Sequence, residues 1–182
     1  FAQIVDHVLA ERQRLGLTEA LPVVVLSNCS MAQRPQVHAA VDRLYAANGA
    51  VHAKLDAGHQ EGYRRVDRTA IPFAKTLANI IATAAQGPVV IQSLFCAVDG
   101  VFADEAEITA YAECLRRIHD EGGPIAAVHV HTVARKPPFA EVSGLSPRAL
   151  RAIVAQVIGL EPRLVGQMQV FDGDPAYELN SS

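Results

Sequence analysis

VHAKLDAG (residues 51–58) and IAAVHVHTVAR (residues 125–135) decide how this chain is read. Successive side chains of a β-strand point to opposite faces, so His52, Lys54 and Asp56 share one side of the first stretch and Val51, Ala53 and Leu55 the other. In the second stretch His129 and His131 oppose Val128 and Val130 in the same way. A fully buried parallel strand has no reason to carry charges on one side unless that side faces a cavity. Two further segments, LPVVVLSNCS (21–30) and PVVIQSLFCAVDG (88–100), also begin apolar and end polar. Strands that turn polar where they exit towards the next helix mark the active face of a parallel α/β barrel.

The intervening segments have helical spacing. Residues 1–15 carry an apolar stripe, and strand 21–27 leads into a helix over 34–47 that Asn48-Gly49 closes. After strand 51–56, GHQEGYRRVDRT (58–69) is expected to be a loop, longer than a minimal strand-to-helix turn and for that reason a functional candidate. A helix over 71–85 and strand 89–95 follow. Asp104 and Glu107 then form a capping-box pattern that opens a helix over 105–120. Strand 125–133, a Pro-rich loop, a helix over 147–158 begun by Ser146-Pro147, and strand 163–170 complete the order. The pattern is α(βα)4β, which makes either an open doubly wound sheet or an arc of a barrel; the polar strand ends favour the arc.

With 182 residues, half of them apolar, and a formal charge of −3, the chain reads as one domain over 1–182. Its basic residues are scattered, so no nucleic-acid partner is expected. Cys29, Cys96 and Cys114 are too far apart in sequence for a local metal-ligand spacing, and their odd number argues against a disulfide framework, which points to a reducing cytoplasm. No apolar run is long enough to span a bilayer and no signal peptide is evident, so no membrane association is expected. The chain opens at Phe1, on a helical stripe without a cap, as a chain cut upstream would.

The densest chemical signal is Lys54 with Asp56. An ammonium can hold a ligand carboxylate while the aspartate takes a sugar hydroxyl; the competing reading is a structural ion pair at a barrel rim. Alternating histidines such as His129 and His131 are a metal-ligand arrangement, although two polar lining residues fit the same spacing. Ser27, Asn28, Gln92, Ser93 and Thr132 complete a ring of hydrogen-bonding groups. The chain lacks GxGxxG, GxxxxGK[ST] and GxSxG motifs.

The succession VVLSN (24–28), KLDAG (54–58), VVIQSLF (89–95) and VHVHTVAR (128–135) followed by a proline pair resembles the radical S-adenosylmethionine superfamily, in its branch of predicted iron–sulfur oxidoreductases. The resemblance covers essentially the whole chain. It implies a partial parallel (β/α) barrel lacking the first two strands, with Phe1 falling just after the second. It also implies S-adenosylmethionine as cofactor, reductively cleaved to a 5′-deoxyadenosyl radical at a 4Fe–4S cluster. The CxxxCxxC motif that holds such a cluster is absent from this chain, so no cluster and no independent activity are expected of it. Carried over by position, Ser27, Asn28, Lys54, Asp56, Gln92 and His131 would contact the cofactor, and His129 and Arg135 a substrate. Strand 21–27 would be an exposed edge through which the chain self-associates. The rivals are a metal-dependent barrel lyase or hydrolase built on His129, His131 and Asp56, and a non-catalytic half-barrel that binds a small molecule.

Overall fold

The computed structural model describes residues 1–17, 20–134 and 136–171. Helix α1 (Ala2–Arg14) precedes β1 (Val24–Ser27), α2 (Pro35–Ala46), β2 (Ala50–Lys54), α3 (Gln60–Asp67) and α4 (Phe73–Ala84). Then come β3 (Val89–Leu94), β4 (Cys96–Val98), α5 (Glu105–Arg117), β5 (Ile125–His131), β6 (Val142–Gly144), α6 (Pro147–Leu160) and β7 (Met168–Phe171). Five strands form one all-parallel sheet in the order β1-β2-β3-β5-β7, which is the order of the chain. A sheet that advances in one direction returns every crossover over the same face, whereas a doubly wound sheet reverses its order to place helices on both.

The burial pattern follows from that topology. On one face Ala53, Ile91, Val128, Val130 and Met168 pack against Leu77 and Ile80 of α4, Tyr111 and Leu115 of α5, and Leu150, Ile153 and Val157 of α6. At the β1 end Val51 joins Val5 of α1 and Ala40, Val41 and Leu44 of α2. Burying a Val, Leu or Ile side chain is worth about 1.5–3 kcal/mol, so this face carries the stability of the sheet. The register aligns Leu26 with His52, Lys54 with Gln92, Gln92 with His129, and His131 with Phe171 on the other face. Among the described residues no helix covers those side chains: Leu26 is 58% exposed, and His52, Lys54, Gln92, His129 and His131 are half-buried.

Three features depart from the sequence expectation. GHQEGYRRVDRT is not a loop, because residues 60–67 form α3. The His59 imidazole accepts the Gly62 N–H as an unusual N-cap, Glu61 sits in the first turn, Arg64 and Arg65 in the last, and Arg68 closes the helix in the left-handed region at φ 49°. Past the polar ends of β3 and β5, β4 and β6 pair antiparallel into a two-stranded ribbon. Thr132 ties that ribbon to the sheet by donating to the Phe95 carbonyl at 2.9 Å and accepting the Leu145 N–H at 2.7 Å. Finally, the last strand begins at Met168 rather than 163, after a short 3-10 turn at Pro162–Leu164. Both N-caps read from the sequence form: Asp104 accepts the Glu107 N–H and Ser146 the Ala149 N–H. The Glu107 carboxylate does not close the capping box; it is buried against Arg65 of α3.

Candidate functional site

Lys54 is the last residue of β2, and Asp56 lies two residues on, where the chain leaves the sheet. Period-two alternation keeps both on the uncovered face, and the backbone beyond the strand turns Asp56 inward until its side chain is only 2% exposed. Its Oδ1 accepts the Leu94 N–H at 2.7 Å and its Oδ2 lies 2.9 Å from Lys54 Nζ. Both oxygens are therefore engaged by the chain itself, and Asp56 holds the lysine. Burial works against the Lys54 ammonium, but Asp56 and then Asp67, 3.7 Å away at the end of α3, outweigh it and lift the amine above its ordinary pKa. Lys54 is thus a fixed cation at the edge of an open face, unsuited to act as a neutral nucleophile.

KLDAG ends in Gly58 for a steric reason. A Cβ there would stand 2.2 Å from the Tyr111 nitrogen and 2.6 Å from the Glu107 carbonyl oxygen, both backbone atoms of α5. The strand exit and α5 touch backbone to backbone, which seats the helix directly behind Asp56. A Cβ at Gly62 would likewise run into the Glu107 carboxylate, so α3 closes onto the first turn of α5 at a second point.

Across the sheet, Gln92 Nε2 and His131 Nε2 are 3.1 Å apart, and the His131 ring stacks on Phe171 at 4.6 Å between centroids and 11° between planes. His129 meets His52 edge-on at 5.4 Å and Phe171 at 5.2 Å. Burial lowers the pKa of all three imidazoles, with neighbouring histidines adding to the effect at His129 and His131, while Asp56 opposes it at His131. The face thus presents one cation, the amides of Gln92 and Gln169, and a strip of neutral imidazoles ending on a phenyl ring. Such a surface can bind a ligand that combines an anionic group, hydrogen-bonding groups and a planar apolar part.

Of the residues read from the sequence, Lys54, Asp56, Gln92, His129 and His131 come together on this face. Ser27 does not: its register partner is Ala53, so it points to the helical side, where its Oγ accepts the Cys29 N–H at 3.0 Å. Asn28, at the strand exit, spends its Oδ1 on the Ser30 N–H. Ser93 is fully buried on the helical side and bonded to the Tyr111 hydroxyl, and Thr132 serves the ribbon, so neither lines the face. Arg135 lies outside the described residues. His52, already set beside Lys54 by alternation, belongs to the site with Asp67 and Phe171, neither of which stands out chemically in the sequence. Alternation with Lys54 is signal enough to find His52, whereas the other two become neighbours only through tertiary packing.

Among the described residues, no group of three or more His, Cys, Asp or Glu is placed to hold a metal ion. A metal-dependent reading on His129, His131 and Asp56 meets a carboxylate already occupied by Lys54 and Leu94. An iron–sulfur cluster fares no better. Cys29, Cys96 and Cys114 are all buried on separate elements, and burial raises every one of the thiols, that of Cys114 to about 11. Cluster ligation needs exposed thiolates converging on one point, and these residues do not fit it. No family model, no curated protein and no solved structure matches this chain.

Proposed function

We propose that this chain forms the cofactor- and substrate-facing wall of a radical S-adenosylmethionine type (β/α) barrel. The single observation that carries the reading is that the polar side chains lie on the sheet face that no helix covers among the described residues, towards the C-terminal ends of strands whose sequential order suits a barrel arc. In this reading Lys54 receives the methionine carboxylate, Gln92 and His131 supply hydrogen-bonding groups to the polar edge of the nucleoside, and His129 with His52 borders the substrate. Asp56 orients Lys54. S-adenosylmethionine, when bound to an enzyme of this type, supplies a 5′-deoxyadenosyl radical after reductive cleavage. The cysteines of this chain do not fit the cluster that drives cleavage, so its own residues account for binding and orientation only.

The experiment is calorimetric titration of the chain with S-adenosylhomocysteine, which keeps the carboxylate and nucleoside but has no sulfonium to cleave. Saturable one-site binding is expected, weakened about tenfold by Gln92→Leu or His131→Leu, as loss of one ligand hydrogen bond predicts. Substitution of exposed Gln3 on α1 should leave it unchanged. Absence of binding, or binding indifferent to the open-face substitutions, overturns the proposal.

A further inference from the structure

Asp67 ends α3, and its side chain is largely buried at 15% exposure. Its Oδ1 lies 3.7 Å from Lys54 Nζ, and its Oδ2 is shut away from solvent with no hydrogen-bond partner among the described residues. Lys54 therefore stands between two carboxylates of different status. Asp56 is close, at 2.9 Å, and fully engaged, whereas Asp67 is farther off with one oxygen unanswered. Two carboxylates around one ammonium leave an excess negative charge in a partly dry site, and the less well-held carboxylate is the one that takes a proton.

We infer that Asp67 is a positioning residue that sets the charge of the Lys54 subsite. As the neutral acid it leaves Lys54 with one carboxylate partner and a proton free for an anionic group of a ligand; as the carboxylate it competes for the ammonium and repels that group. The identity of the ligand rests on the proposed function, whereas the behaviour of Asp67 does not. Burial first, and Asp56 second, push Asp67 up to about 7, with Lys54 opposing. The other titratable groups that sense Asp67 are Tyr63 on α3 and Cys96 on β4, both themselves raised by burial and neutral at that pH. α4 presents the uncharged Thr76, bonded to the Tyr63 hydroxyl at 3.1 Å. Arg68, next in sequence, is taken by Glu141 at 2.6 Å and lies over the Phe139 ring. Binding of a carboxylate at Lys54 above neutrality is accordingly accompanied by uptake of one proton from solvent onto Asp67.

The test begins with the ligand-free chain. The Asp67 side-chain carbon, followed by carbon-13 NMR, should titrate with a midpoint near 7, and the Lys54 Nζ resonance should move in the same step. A midpoint in the ordinary range near 4 overturns the inference. In the second arm, S-adenosylhomocysteine affinity, measured from pH 6 to 8.5, should fall towards about tenfold per pH unit above 7, with proton uptake visible as a dependence on buffer ionisation heat. Asp67→Asn should hold the low-pH affinity across the range. 5′-Methylthioadenosine, which has no carboxylate, should give a flat profile with either protein. A pH-independent affinity of the wild-type chain for S-adenosylhomocysteine sinks the inference. Should that ligand fail to bind at any pH, the proposed function falls, and the two resonances alone decide the role of Asp67. If Asp67→Asn does not fold, proton uptake by the wild-type chain decides the second arm.

Discussion

Replacing Lys54 with Met removes an ammonium while keeping much of the side-chain stem, and so isolates the electrostatic contribution of the pair. It leaves Asp56, with a side chain 2% exposed, holding only the Leu94 N–H, and leaves Asp67 beside it. Removing one partner of a fully buried ion pair costs about 3–5 kcal/mol. Because Lys54 is 38% exposed, water can partly replace the ammonium, and the loss expected at pH 8 is about 2–3 kcal/mol. Its sign with pH is fixed by linkage. Asp67, which burial pushes up to about 7 in the folded chain, stabilises the fold less and less as pH rises from about 4 through that value, so the loss should be smaller at pH 5, where Asp67 carries a proton. Urea unfolding of both proteins at pH 5 and pH 8, extrapolated linearly, measures it. A loss equal at the two pH values, or below about 1 kcal/mol at pH 8, would show that the carboxylates are solvated and that Lys54 does not hold them.

Gly58→Ala should destabilise by about 3 kcal/mol, since its Cβ meets α5 backbone at 2.2 Å and the helix must shift as a body; a melting temperature within a degree of the parent contradicts the packing. Asp104→Ala should lose about 1 kcal/mol of unfolding free energy by leaving the Glu107 N–H without its cap, and Asp104→Asn should recover most of it. The imidazoles of His52, His129 and His131, followed by nitrogen-15 NMR, should all titrate below the ordinary value of about 6.5. Their folded pKa values are depressed, so the unfolded chain binds more protons in the window below 6.5 and the stability they contribute is lost as pH falls through it. A normal or raised titration for any of the three contradicts the burial assigned to that ring.

What is legible in the sequence is what alternation controls. His52, Lys54 and Asp56 against Val51, Ala53 and Leu55, and His129 and His131 against Val128 and Val130, distinguish the two faces of the sheet by residue spacing alone. The order of the strands follows from the helices between them. Short-range patterns fail in three places. Residues 60–67 lack an apolar stripe and are capped by a histidine, His59, so neither periodicity nor a common cap announces α3, and Asp67 is hidden with it. Ser27 reads as part of the polar ring by its place at the strand end, yet register with Ala53, set by the β1–β2 pairing, turns it to the helices. The β4–β6 ribbon joins residues more than forty positions apart through strands of three residues each, too short to leave a pattern.

The apolar core and the chemically bearing side chains occupy opposite faces of the same five strands. Seen as material for change, the sheet is two surfaces that can be rewritten separately. Exchanging Val90, Gln92, His129 or Gln169 for other residues alters the chemistry the open face presents without touching the contacts that hold the fold, so a library confined to those positions should yield mostly folded variants. Variation at Ala53, Ile91, Val128 or Val130 should yield few. A chain built this way can change the chemistry of one surface by drift on that surface alone, and the seam between the two surfaces runs through Asp56 and Gly58, where the ion pair of the open face and the packing of α5 meet two positions apart and neither is free to vary.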